Sequence, residues 1–226
     1  MILALFDSDG TLYTGQFGRG MMKYSSSHDR RYFAWRYYAG ILPAYLLFKA
    51  KITSWERVQH ALLANLSGML QGLDQEQAKG ALTWLLHEYL LPTQRADVFE
   101  KLRGHQAQGH KVVIVSGMLM PAAEIFRDHL KIDGALGTQP EFAHGRYTGR
   151  TIPPLMSGVT KAEKVREFVR ARGWKVDWSA SYAYGDSFTD HHMLSLVGNA
   201  VAVHPDAKLH ALAKEKNWEV LGTPKE

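Results

Sequence analysis

An apolar run, ILALF at residues 2–6, is followed directly by the polar stretch DSDGT at residues 7–11. A short apolar run that stops at an Asp- and Gly-rich segment is typical of a buried parallel strand that ends in a loop. Three later runs end at polar residues in the same way: KVVIV (111–115), SYAY (181–184) and AVAV (200–203). Helix-like segments precede these three runs. The pattern therefore predicts βαβ units in an α/β fold, with a Rossmann-like, mostly parallel sheet flanked by helices.

Polar residues that can carry chemistry stand directly after the predicted strands. They are Asp7 and Asp9 after the first, Ser116 and Gly117 after the second, and Asp186 and Asp190 after the third. Ligands of such sheets bind in the crevice beyond the carboxyl ends of the strands. We therefore expect these residues to converge on one site.

Between the first and second predicted strands lie roughly a hundred residues, far more than one crossover helix needs. Three segments of this interval have apolar residues at helical spacing: 31–51, 54–66 and 74–91. The pattern predicts a helical cap domain at residues 15–91, inserted into a core of residues 1–14 and 92–226. A later segment, EFAHGRYTGRTI at 141–152, has glycines spaced for a hairpin and predicts a short β flap.

The composition is that of an ordinary globular protein, with 46% hydrophobic and 22% charged residues in a chain of 226. There is no cysteine, which excludes a disulfide framework and a thiolate metal site and favours a reducing compartment. The first apolar run lacks a basic region and stops at Asp7, unlike a secretory signal, so we expect a cytoplasmic protein. A net charge of +5 favours anionic partners without choosing among them.

The two carboxylates of DSDGT share the end of one predicted strand. Together they can hold a divalent metal, or one can attack while the other moves a proton. Mg²⁺ prefers hard oxygen ligands, whereas a phosphate group needs hydroxyl, backbone N–H and ammonium donors. Ser116, Gly117 and Lys161, which opens the predicted helix KAEKVREFVR, supply those donors. These residue types predict a phosphoryl-transfer site and suit neither zinc nor a redox cofactor.

Four motifs follow one another along the chain: DSDGT, the Ser-Gly pair after VVIV, Lys161 in GVTKAEKV, and GDSFTD at 185–190. In these motifs, and over essentially its whole length, the chain resembles the haloacid dehalogenase-like (HAD) hydrolases. The helical insertion and the GRYTG flap are similar to subclass IB, the phosphoserine-phosphatase-like branch. The resemblance implies a Mg²⁺-dependent phosphatase that hydrolyses a small phosphomonoester through an aspartyl-phosphate intermediate.

The resemblance also implies a role for each motif residue. Asp7 would attack phosphorus and bind Mg²⁺, and Asp9 would act as general acid and base while its backbone carbonyl reaches the metal. One of these carboxyls has to be ionised while the other is protonated, so we expect their pKa values to differ. The implied phosphate-binding residues are Thr11, Ser116, Gly117 and Lys161, and the implied metal ligands are Asp7, Asp9, Asp186 and Asp190.

Some of these roles have alternatives. Lys164 competes with Lys161 as the phosphate lysine, although the family spacing favours Lys161. Asp190 is either a metal ligand or a residue that caps a helix beside the metal, and the pair at 116–117 is also suited to cap the following helix. The two histidines at 191–192 are expected on the surface or in packing, because Mg²⁺ prefers oxygen ligands.

The substrate is set by residues outside the motifs. Gln16 stands where phosphoserine phosphatases carry a Glu that holds the amino group of the substrate, and Thr189 stands where they carry an Asn. Arg57 is the candidate for their carboxylate-binding Arg. These departures leave phosphoserine open but disfavoured, and another small phosphorylated metabolite is the expected partner.

The stretch RRYFAWRYYAG at 30–40 mixes basic and aromatic residues. We expect a cap helix that buries its aromatic side chains, with no nucleic-acid partner, and a membrane-surface role is the second interpretation. Two alternative functions remain: a membrane-associated phosphatase acting on a lipid phosphate headgroup, and a non-catalytic phosphate-binding protein. The sequence leaves the oligomeric state open.

Overall fold

The computed structural model describes residues 1–225 and contains a seven-stranded sheet. Its strands are β1 (Leu3–Phe6), β2 (Lys111–Leu119), β3 (Gly134–Ala143), β4 (Arg146–Ile152), β5 (Tyr182–Gly185), β6 (Asn199–Val203) and β7 (Glu219–Leu221). They lie in the order β4–β3–β2–β1–β5–β6–β7, and the neighbouring pairs are parallel except for β3 with β4. The predicted α/β fold with a Rossmann-like, mostly parallel sheet is confirmed.

The α-helices of the described residues are α1 (Phe17–Ser27), α2 (Arg31–Lys49), α3 (Trp55–Leu66), α4 (Gln75–Trp84), α5 (Ala96–Ala107), α6 (Met120–Leu130), α7 (Val159–Ala171), α8 (His191–Leu194) and α9 (Ala207–Glu215). The first four lie in the predicted cap interval, where α2, α3 and α4 match the predicted segments and α1 is additional. No helix within residues 1–225 is long and apolar enough to cross a membrane.

β1 is a central strand whose side chains alternate between the two faces of the sheet. It is buried on both faces, because an apolar layer covers each of them. Ala4 and Phe6 pack into one apolar layer, whereas Leu3 and Leu5 pack into the other. All four side chains are fully buried, and β2 and β5 pair with the strand in parallel on either side. Asp7 therefore leaves β1 at the carboxyl end of the sheet, where β5 also ends and the regular pairing of β2 with β3 is interrupted.

One strand of the sheet and the first part of another are absent from the sequence prediction. β7 has only three residues and lies at the edge of the sheet, so it is too short to give a pattern. The first part of β3 contains Gly134 and Gly137, which have no side chain to pack on a sheet. These strands form because neighbouring strands supply backbone partners, which local sequence does not show.

β2 extends past its predicted end at Val115 and runs to Leu119. Its pairing with β3 is parallel up to Val115 and then shifts register before Leu119. Ser116 and Gly117 thus lie in an irregular part of the strand rather than in a loop after it. α6 begins at Met120 with Leu119 as its N-cap, so the alternative that the Ser-Gly pair caps this helix is wrong.

The chain leaves the core for the predicted cap and rejoins it at one place. The backbone N–H of Thr14 donates to the carbonyl oxygen of Thr93 over 2.8 Å, and the N–H of Gly15 donates to Thr93 Oγ1 over 3.0 Å. These hydrogen bonds tie the outgoing and returning segments together close to the predicted junction. The division into a cap at 15–91 and a core stays a prediction.

The segment predicted as a β flap forms the β3–β4 hairpin, which turns at His144 and Gly145, both with positive φ. The hairpin is attached to the cap interval through Tyr147. Its N–H donates to the carbonyl of Leu73, and its own carbonyl accepts from the N–H of Gly72, each over 2.9 Å. The flap and the segment between α3 and α4 are therefore coupled through backbone hydrogen bonds.

The aromatic residues of α2 are less buried than the sequence predicts. Tyr37 is buried, but Tyr32, Trp35 and Tyr38 are each at least 60% exposed. The expectation that this helix buries its aromatic side chains is wrong for these three. A helix of this length presents more faces than one neighbouring layer can cover, so burial of a single stripe is the usual outcome.

Candidate active site

A cavity of about 1300 Å³ lies beyond the carboxyl ends of β1 and β5 and beside residues 116–118 of β2, with α1, α2 and α3 on its other side. It is lined by seven of the eight residues predicted for the site: Asp7, Asp9, Ser116, Gly117, Lys161, Asp186 and Asp190. The structure thus brings together residues that are far apart in the sequence, at the carboxyl ends of the strands, as the strand pattern indicates. The eighth, Thr11, lies beneath this surface.

Asp7 is held rigidly at the end of β1. Its backbone N–H donates to the carbonyl of Tyr184 over 2.9 Å, which continues the parallel pairing of β1 with β5. The residue is 5% exposed. Its Oδ1 accepts from Lys161 Nζ over 2.6 Å, and its Oδ2 accepts from Thr11 Oγ1 over 3.2 Å. Asp7 is therefore a buried carboxylate with a fixed orientation and a cation at one oxygen.

Asp9 lies in the segment between β1 and α1. Its Oδ2 accepts from the N–H of Phe17 over 2.8 Å, in the first turn of α1, where free N–H groups favour a carboxylate. Its Oδ1 is buried and has no hydrogen-bond partner among the described residues. A buried polar oxygen without a partner is uncommon in a folded protein. Asp9 thus presents one anchored oxygen and one that can serve a ligand.

Gly10 allows the chain to turn from one carboxylate to the next. Its φ is +87°, a left-handed conformation that side chains other than glycine rarely adopt. A Cβ at this position would collide with the carboxylate of Asp186. The carbonyl of Gly10 accepts from Arg95 Nε over 3.0 Å, which fixes the turn from outside. The glycine is required both by the backbone conformation and by the approach of a third carboxylate.

Lys161 lies in the first turn of α7 and is 5% exposed. Its Nζ lies 2.6 Å from Asp7 Oδ1 and 2.6 Å from Asp190 Oδ1. Burial by itself would lower the pKa of Lys161, but the charges of Asp190 and Asp7 outweigh it and raise the pKa above its ordinary value. The competing Lys164 points away and pairs with Glu167 at the surface. Of the two lysines, the structure brings Lys161 into the site.

Thr11 differs in its placement from the other predicted residues. Its side chain is fully buried, and its hydroxyl lies 3.2 Å from Asp7 Oδ2 and 3.1 Å from Asp186 Oδ1. A hydroxyl has one proton, so it donates to one of these oxygens at a time. The structure aims Thr11 at the carboxylates and not at the open cavity. Its position suits the alignment of the acidic residues.

Ser116 and Gly117 form the part of the wall that comes from β2. Ser116 is 1% exposed, and its Oγ accepts from the N–H of Met118 over 3.2 Å. The carbonyl of Gly117 accepts from Thr138 Oγ1 over 3.0 Å. A Cβ at Gly117 would come within 2.7 Å of Leu63 on α3, so α3 packs directly on this part of β2. The absence of a side chain at 117 allows this close approach.

Three carboxylates form a cluster that can hold a metal ion. Asp7, Asp186 and Asp190 each offer an oxygen, and these atoms lie within 4.8 Å of one another. The Nζ of Lys225 makes an ion pair with Asp186 Oδ2, so a cationic group already lies against the cluster. Asp190 also accepts from the N–H of Ser187 over 3.2 Å and thereby caps a short 3₁₀ turn. An all-oxygen donor set of this kind fits Mg²⁺.

The pKa values of three carboxyls are raised, because these groups are buried close to one another. Burial raises the pKa of Asp7 to about 7, although the charge of Lys161 opposes this shift. Burial, with Asp7 close by, raises the pKa of Asp9 to about 7. Burial, followed by the charge of Asp190, raises the pKa of Asp186 to about 6. The chain alone does not separate the pKa values of Asp7 and Asp9, and a divalent cation beside Asp7 would lower mainly that of Asp7.

Three residues near the site are absent from the sequence prediction. They are Arg95, which holds the carbonyl of Gly10; Asp206, whose Oδ2 accepts from the N–H of Phe188 over 2.7 Å; and Lys225, which pairs with Asp186. Asp206 is the N-cap of α9, and an Asp ahead of a helical pattern is a signal that could have found it. Nothing in the local sequence marks Arg95 or Lys225, because their contacts depend on the tertiary fold.

The histidines that follow the last motif are not part of the acidic cluster. His191 Nδ1 lies 2.7 Å from the carbonyl oxygen of Phe188, and its ring stacks on that side chain. His192 is exposed at the surface. Both positions agree with the expected surface and packing roles.

Comparisons with known proteins identify the family. A family profile described as haloacid dehalogenase-like hydrolase matches residues 4–195. A putative hydrolase of Mycobacterium leprae is 32% identical over 223 residues, which cover 96% of this chain and 71% of the relative. Phosphoserine phosphatase SerB1 of Mycobacterium tuberculosis is 32% identical over 230 residues, covering 96% of this chain and 69% of that protein.

A solved structure gives the same result for the fold. The chain superposes on a substrate-bound phosphoserine phosphatase with a TM-score of 0.64 and 18% identity, covering 97% of this chain and 92% of the other. At this identity the likeness shows the fold alone, whereas the family follows from the profile and the relatives. The chain belongs to the haloacid dehalogenase-like hydrolases, on the phosphoserine-phosphatase-like branch, and is a phosphatase of that family.

Proposed function

We propose that the chain is a Mg²⁺-dependent phosphatase that hydrolyses a small phosphomonoester through an aspartyl-phosphate on Asp7. The observation that carries the proposal is the geometry of the first motif. Asp7 is a buried carboxylate 2.6 Å from Lys161 Nζ, and Asp9, which lines the same cavity, has a buried oxygen without a partner. One group can attack phosphorus while the other carries a proton, which is the division of labour that two such carboxyls support.

In the first step, an oxygen of Asp7 attacks the phosphorus atom of the substrate. The bond from phosphorus to the ester oxygen breaks, and protonated Asp9 donates its proton to the departing alkoxide. The hydrogen bond from the N–H of Phe17 holds one oxygen of Asp9, so the other is oriented toward the leaving group. The products of this step are the free alcohol and a phosphorylated Asp7.

In the second step, Asp9 is ionised and acts as a base. It removes a proton from a water molecule, whose oxygen attacks phosphorus as the bond to Asp7 breaks. Inorganic phosphate leaves, Asp7 is restored as a carboxylate, and Asp9 is again protonated. The raised pKa of Asp9, about 7, suits a group that has to gain and lose a proton in one cycle.

The remaining site residues bind and orient. The Lys161 ammonium and the Ser116 hydroxyl, with the N–H of Gly117, are proposed to bind phosphoryl oxygens. Thr11 is proposed to align Asp7 and Asp186 through its hydroxyl, which lies within 3.2 Å of both. This positioning role replaces direct phosphate binding as the role we assign to Thr11.

The acidic cluster is proposed to hold Mg²⁺ through Asp7, Asp186 and the backbone carbonyl of Asp9, with Asp190 as a direct ligand or as the partner of Lys161. When bound, the ion neutralises negative charge on the phosphoryl group and on Asp7. The cluster fits such an ion because three buried carboxylates converge within 4.8 Å, and when ionised they carry more charge than the two ammonium groups of Lys161 and Lys225 balance.

Phosphoserine itself is disfavoured as the substrate. Gln16 lines the cavity without a negative charge, and Arg57, the candidate for binding a substrate carboxylate, does not line it. SerB1 of Mycobacterium tuberculosis is named a phosphoserine phosphatase, so phosphoserine belongs in any substrate panel. The proposal places the enzyme in the cytoplasm, because a chain without cysteine is suited to a reducing compartment.

The test uses p-nitrophenyl phosphate, whose leaving group needs no proton, with Mg²⁺ or with a chelator. We expect the wild type to require Mg²⁺ and Asp7→Asn to be inactive. Asp9→Asn should release one equivalent of nitrophenol rapidly and then stall, because the second step lacks its base. Mass spectrometry of the stalled enzyme should find phosphate on the peptide that contains Asp7. Full turnover by Asp7→Asn, or a stalled enzyme without a phosphorylated peptide, would refute the mechanism.

A further inference from the structure

Much of the cavity wall that faces away from the sheet is made of apolar side chains. We call this surface the cap wall: Trp35, Tyr38, Leu42 and Tyr45 of α2, Trp55 of α3, and Leu62 of α3. The α2 members recur at helical spacing and so form one face of that helix. Trp35, Tyr38 and Leu42 are 66%, 60% and 52% exposed, so the protein itself leaves this face uncovered.

The size of the cavity does not suit a small polar substrate. Pockets for ligands of drug size are typically about 300–1000 Å³, and this cavity is about 1300 Å³. A compact phosphomonoester at Asp7 would fill only the end near the sheet and would leave the cap wall in water. Apolar surface kept open beside an active site indicates a ligand with apolar surface of its own.

The charges of the cavity point to the same kind of ligand. All the acidic residues that line it belong to the sheet side: Asp7, Asp9, Asp186, Asp190 and Asp206. The cap side is lined by two basic residues of α1, Arg19 and Lys23, and by no described acidic residue. A phosphorylated amino acid would therefore find no carboxylate near the cap for its ammonium group. An anionic amphiphile would meet cations and apolar surface instead.

We propose that the substrate is the phosphomonoester of an amphiphilic alcohol, which is the chemistry of a single-chain lipid phosphate. The phosphate lies at Asp7 and Lys161, and the apolar chain extends along the cap wall. This inference rests on the proposed phosphatase function and names the class of alcohol that the enzyme releases. It also assigns a role to the exposed aromatic residues of α2, which the phosphoryl chemistry does not use.

The test is a series of straight-chain phosphates, from ethyl through butyl and hexyl to octyl phosphate, each kept monomeric. The leaving alcohols have nearly equal acidity, so differences in kcat/KM report binding of the chain. Full burial of one methylene corresponds to roughly a fourfold change in affinity, so partial burial should raise kcat/KM at least about tenfold from ethyl to octyl phosphate. O-Phosphoserine should be a poorer substrate than octyl phosphate. A flat or falling series, or a preference for phosphoserine, overturns the proposal.

Two leucines of α2 provide a matched pair of variants. Leu42 lines the cavity and is 52% exposed, whereas Leu46, one turn later, is 56% exposed and does not line it. We expect Leu42→Glu to lower the octyl-to-ethyl ratio of kcat/KM at least about fivefold, because a carboxylate enters the cap wall. Leu46→Glu should leave the ratio unchanged. Equal ratios in the two variants would show that the chain does not lie on the cap wall.

A binding measurement separates failure of this proposal from failure of the proposed function. Asp7→Asn is titrated with the same alkyl phosphates, and the fluorescence of Trp35 and Trp55 in the cavity reports binding. Affinity that rises with chain length, without phosphate release by the wild type from any substrate, supports the amphiphile and refutes the phosphatase. Phosphate release with affinity independent of chain length does the reverse. Neither release nor chain-dependent affinity refutes both.

Discussion

The sheet side and the cap side of the cavity differ in the kind of side chain they carry and in how far those side chains are buried. On the sheet side, charged groups are buried and most of them are held by partners, as with Asp7, which is bound by Lys161 and Thr11. On the cap side, aromatic and aliphatic groups remain exposed, as with Trp35 and Tyr38. Buried charge demands fixed geometry, whereas open apolar surface tolerates variation in what it contacts. The difference suggests that the sheet determines the reaction and the cap determines the alcohol.

The largest expected effect comes from removing the cation of the sheet side. Lys161→Met deletes the ammonium 2.6 Å from Asp7 and Asp190 and leaves buried carboxylates without their partner. We expect kcat for p-nitrophenyl phosphate to fall about a thousandfold, because the negative charge of the transition state loses its closest donor. The measurement is steady-state kinetics on protein shown to be folded by circular dichroism.

Lys164→Met is the control for this variant. Lys164 lies three residues later on the same helix and pairs with Glu167 at the surface. Exposed pairs of this kind contribute little, so its kcat should stay within about twofold of the wild type. Similar losses of kcat in both variants would show that Lys161 has no special role in the reaction.

Adjacent residues of α2 test whether the cap wall is part of the packed protein. Ile41 is 7% exposed and Leu42 is 52% exposed. Ile41→Ala should lower the free energy of unfolding by about 3 kcal/mol, because a buried side chain is lost and a cavity remains. Leu42→Ala should lower it by less than about 0.5 kcal/mol, as surface substitutions usually do. Urea titration of both variants provides the measurement. Equal losses would mean that the cap wall is packed and not available to a ligand.

A pair of glycines tests how tightly the sheet side is fixed. Gly10 has a φ of +87° and no room for a Cβ beside Asp186, whereas Gly109 has a φ of +71° and open space around it. Alanine at either position should lower the free energy of unfolding by about 1 kcal/mol through backbone strain. Only Gly10→Ala should also lower kcat, by about a hundredfold, because it displaces Asp186. Thermal melts and kinetics separate the two effects, and unchanged kcat in Gly10→Ala would contradict the close fit.

The same contrast explains what the sequence could predict. The sheet side depends on residues at strand ends, and DSDGT, Lys161 and GDSFTD stand at positions that local pattern reveals. The apolar run before Asp7 shows that the strand is buried in a parallel sheet, and ligands of such sheets bind beyond the carboxyl ends of the strands. Fold class and most of the candidate site could be predicted for this reason.

What the sequence missed depends on tertiary contacts. The hydroxyl of Thr11 turns toward Asp7 and Asp186 because the chain bends sharply at Gly10. Lys225 reaches Asp186 from the other end of the chain. The exposure of Trp35 was predicted wrongly, because an aromatic residue on a helix gives no sign of whether a neighbouring layer covers it. Local pattern identifies elements and their ends but not the layers that cover them.

The last expected effect lies away from the cavity, where a buried histidine of the core pairs with a tyrosine of β5. His105 of α5 is buried, and its Nε2 lies 2.9 Å from the hydroxyl of Tyr184. The ring of Tyr184 stacks on that of Phe6 in β1. Burial, with the nearby His110 and Lys101, lowers the pKa of His105 from 6.5 to about 4. The unfolded chain therefore binds this proton more readily than the folded one. The free energy of unfolding should fall by about 1–2 kcal/mol as the pH drops from about 6.5 toward 4.

His105→Gln isolates this contribution, because glutamine can still bond the Tyr184 hydroxyl but does not titrate. Urea titrations across the same pH range should show a shallower loss of stability in the variant than in the wild type. His60→Gln, at an exposed position of α3 in the cap, should keep the wild-type slope. Identical slopes of unfolding free energy against pH in all three proteins would mean that burial of His105 beside Tyr184 does not make stability depend on pH. The contrast with the cap would then be confined to the carboxylates around Asp7.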